Sequence, residues 1–255
     1  MIKPLENKIA IVAGATGGIG VATVKRLLED GATVIASGRN QKRLDELTEL
    51  SDRVVGHQFN VSIESEAREL VERAKSDFGR LDLLFNGAGI VGESNLIEDQ
   101  SLENFENVML VNVTGTFLMM KYAIPAMRRS GGGSIINVSS AAGVQGGRAT
   151  MPVYCASKHA VIGLTRVGAK AHAGEGIRIN VIVPGQIDTD MLAAVEADAS
   201  DGDPVEARKK VIAAIPAGRY GNTSEVAALV AFLCRDDANF INGSIYTIDG
   251  AFTPF

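Results

Sequence analysis

The segment KIAIVAGATGGIG, residues 8–20, decides the fold of this 255-residue chain. After Lys8, five apolar residues follow one another, which is typical of a strand buried on both faces. Four glycines then occur within seven residues, and a helical pattern begins at Ile19. A buried strand that turns sharply into a helix is the first unit of a parallel sheet. The segment therefore predicts an α/β protein.

The same alternation of strands and helices continues to the end of the chain. The predicted strands are residues 8–13, 33–37, 54–59, 81–86, 134–139, 178–183 and 244–248. The predicted helices are residues 19–30, 43–50, 63–78, 102–129, 152–174 and 224–235. Several strands are apolar nearly throughout, so helices should cover both faces of the sheet. We predict one domain over residues 1–255, a Rossmann-type doubly wound parallel sheet of about seven strands.

Composition and charge argue against several classes of function. Lysine and arginine total 25 against 30 acidic residues, a net charge of −5, so neither nucleic acid nor an anionic membrane is an expected partner. Cys155 and Cys234 lie far apart without histidine partners, so no disulfide or metal site is expected. Residues 108–120 are apolar but contain Asn112, and we interpret them as part of a buried helix. The N-terminus lacks the apolar stretch of a signal peptide, so we expect a cytoplasmic protein.

Residues 188–217 break the alternation, since they separate the sixth strand from the last helix. Gly202 and Pro204 would interrupt one long helix, so two short helices joined by a mobile turn are expected. The segment follows the carboxyl end of a strand, where open α/β sheets bind ligands. We interpret it as a substrate lid, and a surface excursion without a role is the alternative.

The glycines after the first strand predict a nucleotide site. Gly14, Gly18 and Gly20 form a Gly-x3-Gly-x-Gly pattern. Glycine lets backbone amides approach a pyrophosphate, and the following helix offers unpaired N–H groups and the positive end of its dipole. A tight turn without a ligand is the alternative. The position of the pattern at the first strand–helix junction favours the nucleotide.

The end of the second strand bears on which nucleotide is bound. Dinucleotide-binding domains often carry an acid here that holds the ribose hydroxyls of NAD, but residues 33–40 contain none. Arg39 can pair with a 2′-phosphate instead. NADP(H) is therefore favoured and NAD(H) stays open. The alternative is a solvated basic helix start that also includes Lys42 and Arg43.

Tyr154, Lys158 and Ser140 form the candidate reactive group. Tyr154 and Lys158 are four residues apart on one predicted helix, so their side chains share a face. An ammonium near a phenol stabilises the phenolate, and we expect it to lower the pKa of Tyr154. Ser140 ends a strand at the expected ligand-binding edge, where its hydroxyl could hydrogen-bond a carbonyl oxygen.

These spaced motifs resemble those of the short-chain dehydrogenase/reductase family along essentially the whole chain. Residues 13–20 are similar to its glycine loop, with Ala13 in place of threonine, and residues 86–89 are similar to its Asn-Asn-Ala-Gly motif, with Gly87 as the departure. The four catalytic positions fit Asn112, Ser140, Tyr154 and Lys158. The family spacing favours Ser140 over Ser139, although one extra residue predicts a bulge in the loop before Tyr154.

The resemblance also implies the cofactor contacts and the chemistry. The cofactor residues would be Gly14, Thr16, Gly17, Gly18, Ile19, Gly20, Arg39, Asn60, Val61, Asn86, Ala88, Gly89, Tyr154, Lys158, Pro184, Gly185, Ile187 and Thr189. A hydride would pass between nicotinamide and a carbonyl or alcohol carbon, with Tyr154 exchanging the proton and Ser140 polarising the oxygen. Lys158 would hold the nicotinamide ribose, and Asn112 would support a water-mediated proton path. The family implies a homotetramer and requires no metal.

The expected substrate is a small, fairly apolar ketone or secondary alcohol. The predicted contacts carry few charges and are Ser140, Gln145, Val153, Tyr154, Gln186 and Met191, with Ala141, Met151 and residues 192–195 beside them. A 3-oxoacyl carrier-protein reductase would share every catalytic residue, and Arg128 and Arg129 are the basic pair it would offer to an acidic carrier protein. The non-enzyme alternative is an NAD(P)-binding regulator, and the intact reactive group argues against it.

Overall fold

A computed structural model describes residues 3–198 and 203–253, in which seven parallel strands form one sheet. The strands are β1 (Ile9–Ala13), β2 (Thr33–Gly38), β3 (Val54–Gln58), β4 (Leu83–Asn86), β5 (Gly133–Val138), β6 (Ile177–Pro184) and β7 (Ile245–Ile248). Their order is β3-β2-β1-β4-β5-β6-β7, so the strand order reverses between β1 and β4. Ligands of open α/β sheets bind at the carboxyl ends beside such a reversal. The predicted doubly wound parallel sheet is confirmed.

The helices lie close to their predicted positions, with one interruption. They are α1 (Gly18–Glu29), α2 (Gln41–Thr48), α3 (Glu64–Phe78), α4 (Leu102–Met109), α5 (Gly115–Arg129), α6 (Pro152–His172), α7 (Asp190–Asp198), α8 (Pro204–Ala213) and α9 (Thr223–Cys234). The predicted continuous helix 102–129 is wrong in detail, because a π-helical turn at Leu110–Thr114 separates α4 from α5. Such turns insert one residue into the helical register and often mark functional sites.

Two apolar clusters hold the helices against opposite faces of the sheet. In β1 the side chains alternate, so that Val12 packs in one cluster with Val24 of α1 and Ile11 packs in the other with Leu70 of α3. All five residues of β1 are buried, which explains their continuous apolar character. This arrangement fixes the carboxyl end of β1, where the glycine loop begins.

The segment Leu102–Arg129 is the one described helical stretch that is long and apolar enough to span a membrane by length and composition. Its mean hydropathy is 1.3, and half of the apolar window is buried inside the fold. Met119 and Met127 on α5 are fully buried against the sheet. The predicted buried helix is confirmed by this packing.

The segment 188–217 contains the two predicted short helices, α7 and α8. Asp203 begins α8, because its Oδ1 accepts hydrogen bonds from the backbone N–H groups of Val205 and Glu206. The mobile turn expected between the helices falls on residues 199–202, which lie outside the described residues. Glu196 is the one described side chain of these two helices that is buried. The two helices therefore pack loosely compared with the helices that flank the sheet.

Candidate active site

The glycine loop leads directly from β1 into α1. Gly14 has a φ of +83°, and a Cβ at this position would lie 2.7 Å from the backbone N of Ala88, so only glycine fits. The N-cap residue of α1, Gly17, makes no side-chain capping bond, and the first turn contains no acidic residue. The amides at the start of α1 are thus left for a ligand. They suit a pyrophosphate, as in other dinucleotide sites.

A cavity of about 620 Å³ lies at the carboxyl ends of the strands, over the start of α1. The structure brings many of the predicted residues together in its lining. Among the predicted cofactor contacts these are Gly14, Gly17, Gly18, Ile19, Gly20, Gly89, Tyr154, Lys158, Pro184, Gly185, Ile187 and Thr189. Among the predicted substrate contacts they are Ser140, Gln145, Tyr154, Gln186 and Met191. Cofactor and substrate would therefore share one continuous space.

Other predicted residues stand outside this lining. Val153 is buried within the fold, because it precedes Tyr154 by one residue and so projects about 100° away around α6. Arg39 is exposed beyond the end of β2. Asn86 is buried, and its Nδ2 donates to Asn137 Oδ1 at 3.0 Å, which links β4 to β5. The remaining predicted residues outside the lining are Thr16, Asn60, Val61, Ala88 and Asn112.

Those remaining residues support the walls of the site. Asn60 Oδ1 accepts a hydrogen bond from the N–H of Ser62, and Val61 packs against Gly115 at the start of α5. Gly87, the departure from the family motif, faces the ring of Phe85 so closely that no Cβ could fit there without moving the ring. The glycine is explained by this local packing within β4 and its loop.

Ser140 and Tyr154 meet at the end of β5. The Ser140 hydroxyl is close enough to the Tyr154 phenol to favour the ionised form of the phenol, and Ser140 Oγ accepts a hydrogen bond from the backbone N–H of Ala142 at 3.2 Å. Ser139 is placed differently, because its hydroxyl donates to Lys158 O at 2.8 Å and so holds α6 against β5. Of the two adjacent serines, Ser140 is the one that contacts the tyrosine.

Burial controls the acid–base properties of the pair on α6. The ammonium of Lys158 donates to Val138 O at 3.1 Å and lies 5.5 Å from the centroid of the Tyr154 ring. Burial lowers the pKa of Lys158 to about 8. Burial also raises the pKa of Tyr154, against the opposing hydrogen bond from Ser140. The expected lowering of the Tyr154 pKa is thus wrong for this structure, because desolvation of the phenolate outweighs the opposing effect of the Ser140 hydroxyl.

Asn112 lies at the π-helical turn and holds the loop after β4. Its Oδ1 accepts from the N–H of Ile90 at 2.8 Å, and its Nδ2 donates to Ile90 O and to Ser157 Oγ, each at 2.9 Å. A Cβ on Gly89 would lie 3.2 Å from Asn112 Oδ1 and 3.4 Å from Lys158 Nζ, so both side chains border that glycine. The sequence signal for the turn is Asn112, which is the one amide side chain within the apolar stretch 108–120.

Three cations at this cavity were not among the predicted contacts. Arg43 on α2 donates to Thr16 O at 2.8 Å and to Asp190 Oδ2 at 2.7 Å, so it connects the glycine loop with the first residue of α7. Arg148, on the loop before α6, and Lys210, on α8, also line the cavity. Periodicity could not find these residues, because their approach depends on how loops and the segment 188–217 fold over the sheet edge.

Comparisons with known proteins agree with this geometry. A family model described as enoyl-(acyl carrier protein) reductase matches residues 14–253. Cyclohexanol dehydrogenase of Acinetobacter sp. (strain SE19) is 39% identical over 99% of this chain and 98% of its own length. A 3-oxoacyl-(acyl-carrier-protein) reductase of Thermotoga maritima is 36% identical over 96% and 98%. The crystal structure of levodione reductase superposes with a TM-score of 0.94 at 33% identity, covering 97% of this chain and 98% of that one.

Proposed function

The chain belongs to the short-chain dehydrogenase/reductase family and is an oxidoreductase of alcohol and ketone groups, and we propose that it interconverts a small cyclic ketone and its secondary alcohol. The observation that carries the proposal is the contact between Ser140 and Tyr154 beside Lys158, at the edge of a cavity that also contains the glycine loop. Cyclic substrates are proposed because relatives are named for cyclohexanol and levodione.

The proposed mechanism assigns one task to each polar side chain. When bound, the nicotinamide cofactor supplies the hydride for reduction. Tyr154 donates a proton to the carbonyl oxygen, and its raised pKa keeps that proton in place at neutral pH. Ser140 holds the same oxygen by a hydrogen bond. Lys158 would hold the nicotinamide ribose, and Asn112 keeps Ser157 and the loop after β4 in position while supporting the proton path.

We propose a preference for NADP(H). No acid stands at the end of β2, and the exposed side chain of Arg39 is free to meet a 2′-phosphate. Arg39→Ala should raise the KM for NADPH about tenfold and leave the KM for NADH unchanged, since only the 2′-phosphate is lost as a partner. Steady-state kinetics with both cofactors checks this. Lys42→Ala, at the second residue of α2 and also exposed, is the matched control. An equal change in the KM for both cofactors would show that Arg39 does not bind the 2′-phosphate.

The first experiment is oxidation of NADPH and NADH, in parallel, against a panel of cyclic ketones, diketones and acyl thioesters. Turnover of the cyclic ketones with the larger kcat/KM for NADPH is expected. Turnover confined to thioesters would contradict the proposal and favour reduction of a 3-oxoacyl thioester instead. Tight cofactor binding without turnover of any compound would exclude the panel and the proposed substrate class together.

The competing function is reduction of a 3-oxoacyl thioester, which the relative from Thermotoga maritima favours. A carrier protein would need a free basic surface. Arg128, one of the two arginines predicted for that role, instead donates to both carboxylate oxygens of Glu175 at 2.8–2.9 Å. Of the pair 128–129, only Arg129 is therefore left to contact an acidic carrier protein. We rank this function below reduction of a cyclic ketone for that reason.

We propose that residues 188–217 act as the substrate lid. They contribute Met191, Leu192 and Val195 from α7 and Val211 and Ala214 from the region of α8 to the cavity lining. Thr189, at the start of the segment, packs on Gly18 of the glycine loop. The lid thus begins at the cofactor side and covers the side proposed for substrate.

We also propose a homotetramer. Large apolar side chains are exposed on neighbouring helices, namely Leu102, Phe105, Phe117 and Val167. Exposed apolar clusters on one surface are typical of protein–protein contacts. Light scattering should give four times the chain mass, and a monomer would exclude this assembly.

A further inference from the structure

Two cations line the lid side of the cavity without a carboxylate partner in the described ranges 3–198 and 203–253. Arg148 lies on the loop before α6, and its Nη1 makes a long hydrogen bond, 3.5 Å, to Val195 O of α7. Lys210 lies on α8. The neighbouring Lys209 is different, because it pairs with Glu206 at 3.7 Å and is not part of the cavity lining.

Three described acidic residues of the segment 188–217 are already paired with other arginines. Asp190 is the acidic residue in the cavity lining, and its Oδ2 lies 2.7 Å from Arg43 Nη2. Asp188 and Glu196 both contact Arg208 of α8, at 3.2 and 3.8 Å. The described lining of the cavity therefore carries four cationic side chains, Arg43, Arg148, Lys158 and Lys210, against one carboxylate, in a protein whose net charge is −5. Global charge does not explain this local excess.

Apolar side chains share the lining with the two cations. Met151 lies on the same loop as Arg148, and Val211 follows Lys210 on α8. Apolar walls with a few charged groups are typical of pockets that fix the orientation of a small ligand. A purely apolar ketone would leave the cations to water, whereas an anionic substituent would use them.

We propose that the substrate carries an anionic group, carboxylate or phosphate, which Arg148 and Lys210 bind while the reacting carbonyl lies at Ser140 and Tyr154. The inference rests on the proposed ketone reduction and narrows its substrate class. Two sources share this chemistry: the carboxylate of a small cyclic keto acid, and the phosphate of the pantetheine arm of a thioester. Arg148 and Lys210 then determine specificity and take no part in the proton or hydride transfer.

The first test compares matched substrates that differ in the anionic group. One pair is 4-oxocyclohexanecarboxylate and its methyl ester, and the other is acetoacetyl coenzyme A and the acetoacetyl thioester of N-acetylcysteamine. We expect kcat/KM to be about tenfold larger for the anionic member of at least one pair. Added salt should reduce this advantage, since the cations are exposed. The pair that discriminates identifies the source of the anion, and equal kcat/KM values within both pairs would overturn the proposal.

The second test removes the charges one at a time. Arg148→Met and Lys210→Met should each raise the KM for the anionic substrate roughly fivefold and leave its kcat unchanged. The KM for the neutral member of the same pair should not change. Lys209→Met is the matched control on the same helix and should leave the KM for both substrates unchanged. An equal effect of Lys209→Met, or a loss of kcat in place of affinity, would overturn the proposal.

A binding measurement separates this inference from the proposed function. Cyclohexanecarboxylate, which has no ketone, can be titrated calorimetrically into the enzyme. Binding that weakens in Arg148→Met and Lys210→Met supports the anion site even where no ketone is turned over. Turnover of the methyl ester without any preference for the acid, and with no binding of cyclohexanecarboxylate, removes the anion site and leaves the ketone reductase intact.

Discussion

The helix that carries the candidate catalytic residues and the proposed lid, residues 188–217, are held in different ways. Helix α6 is held by three buried hydrogen bonds, which join Asn112 of the π-helical turn to Ser157, Asn137 of β5 to Thr165, and Ser139 just after β5 to the carbonyl of Lys158. Such bonds give the buried polar groups that form them a partner and fix one orientation of the helix. The position of Tyr154 is thus set by the core of the fold.

The lid has almost no such core. Of the described side chains on α7 and α8 only Glu196 is buried, and its carboxylate accepts a hydrogen bond from the hydroxyl of Tyr220. Arg208 lies 4.4 Å from the centroid of the Tyr220 ring and also reaches Asp188. Segments with few buried apolar contacts open with a small free energy. The two regions therefore suit different tasks, since proton transfer needs fixed atoms while substrate entry needs a segment that opens.

The largest effect is expected from Tyr154→Phe, which removes the phenol hydroxyl and keeps the aromatic ring in its place. Loss of the phenol removes the proposed proton donor, and kcat should fall about a thousandfold. Affinity for the cofactor should stay unchanged, because the ring remains on α6. Rapid-mixing kinetics with a titration of NADPH checks both quantities.

Tyr246→Phe on β7 serves as the control for that change, because Tyr246 lies outside the cavity lining. Its kcat should equal that of the original chain. If Tyr154→Phe kept more than about a tenth of the original kcat, Tyr154 would not be the general acid.

Lys158→Met tests what the buried charge contributes to stability. Burial holds the pKa of Lys158 at about 8, below its usual 10.5, so the folded state is destabilised by the ammonium at neutral pH. The variant should gain up to about 3 kcal/mol in the free energy of unfolding at pH 7 while losing turnover. The original chain should become relatively more stable as pH rises from 8 to 10.5, because the folded state loses the proton first.

Urea denaturation across that pH range measures the difference between the two proteins. Lys170→Met, an exposed lysine on the same helix, should show no such pH dependence. A Lys158→Met protein that is less stable than the original at pH 7 would show that the ammonium stabilises the fold through its bond to Val138 O.

The sequence predicted the fixed region far better than the lid. Apolar runs gave the strands, and local spacing placed Tyr154 and Lys158 on one face of α6, because both signals depend on residues close together in the chain. The pKa of Tyr154 could not be predicted in the same way, since burial depends on the whole fold. The exclusion of Val153 from the cavity follows from its place next to Tyr154, because adjacent residues of a helix project about 100° apart.

The contacts of the lid depend on residues distant in sequence. Arg43 and Asp190 meet across 147 positions, and Tyr220 meets Glu196 across 24. No periodic pattern links such residues, because periodicity relates only residues that are a few positions apart in the chain. The sequence could predict two short helices from Gly202 and Pro204, but not which polar groups hold them.

The smallest effect is expected from Tyr220→Phe, which loosens the lid alone. The change leaves the buried carboxylate of Glu196 with Arg208 as its remaining described partner, and an unmet acceptor of this kind costs about 1–3 kcal/mol. Because the cost falls on the lid, KM for the substrate should rise a few fold while kcat and the midpoint of thermal unfolding change little. Hydrogen exchange should quicken within residues 188–217 and stay constant in α6. Tyr122→Phe, which removes an exposed hydrogen bond to Glu64, is the control. Faster exchange in α6 as well would mean that the lid and the catalytic helix open as one unit, and the contrast between them would fail.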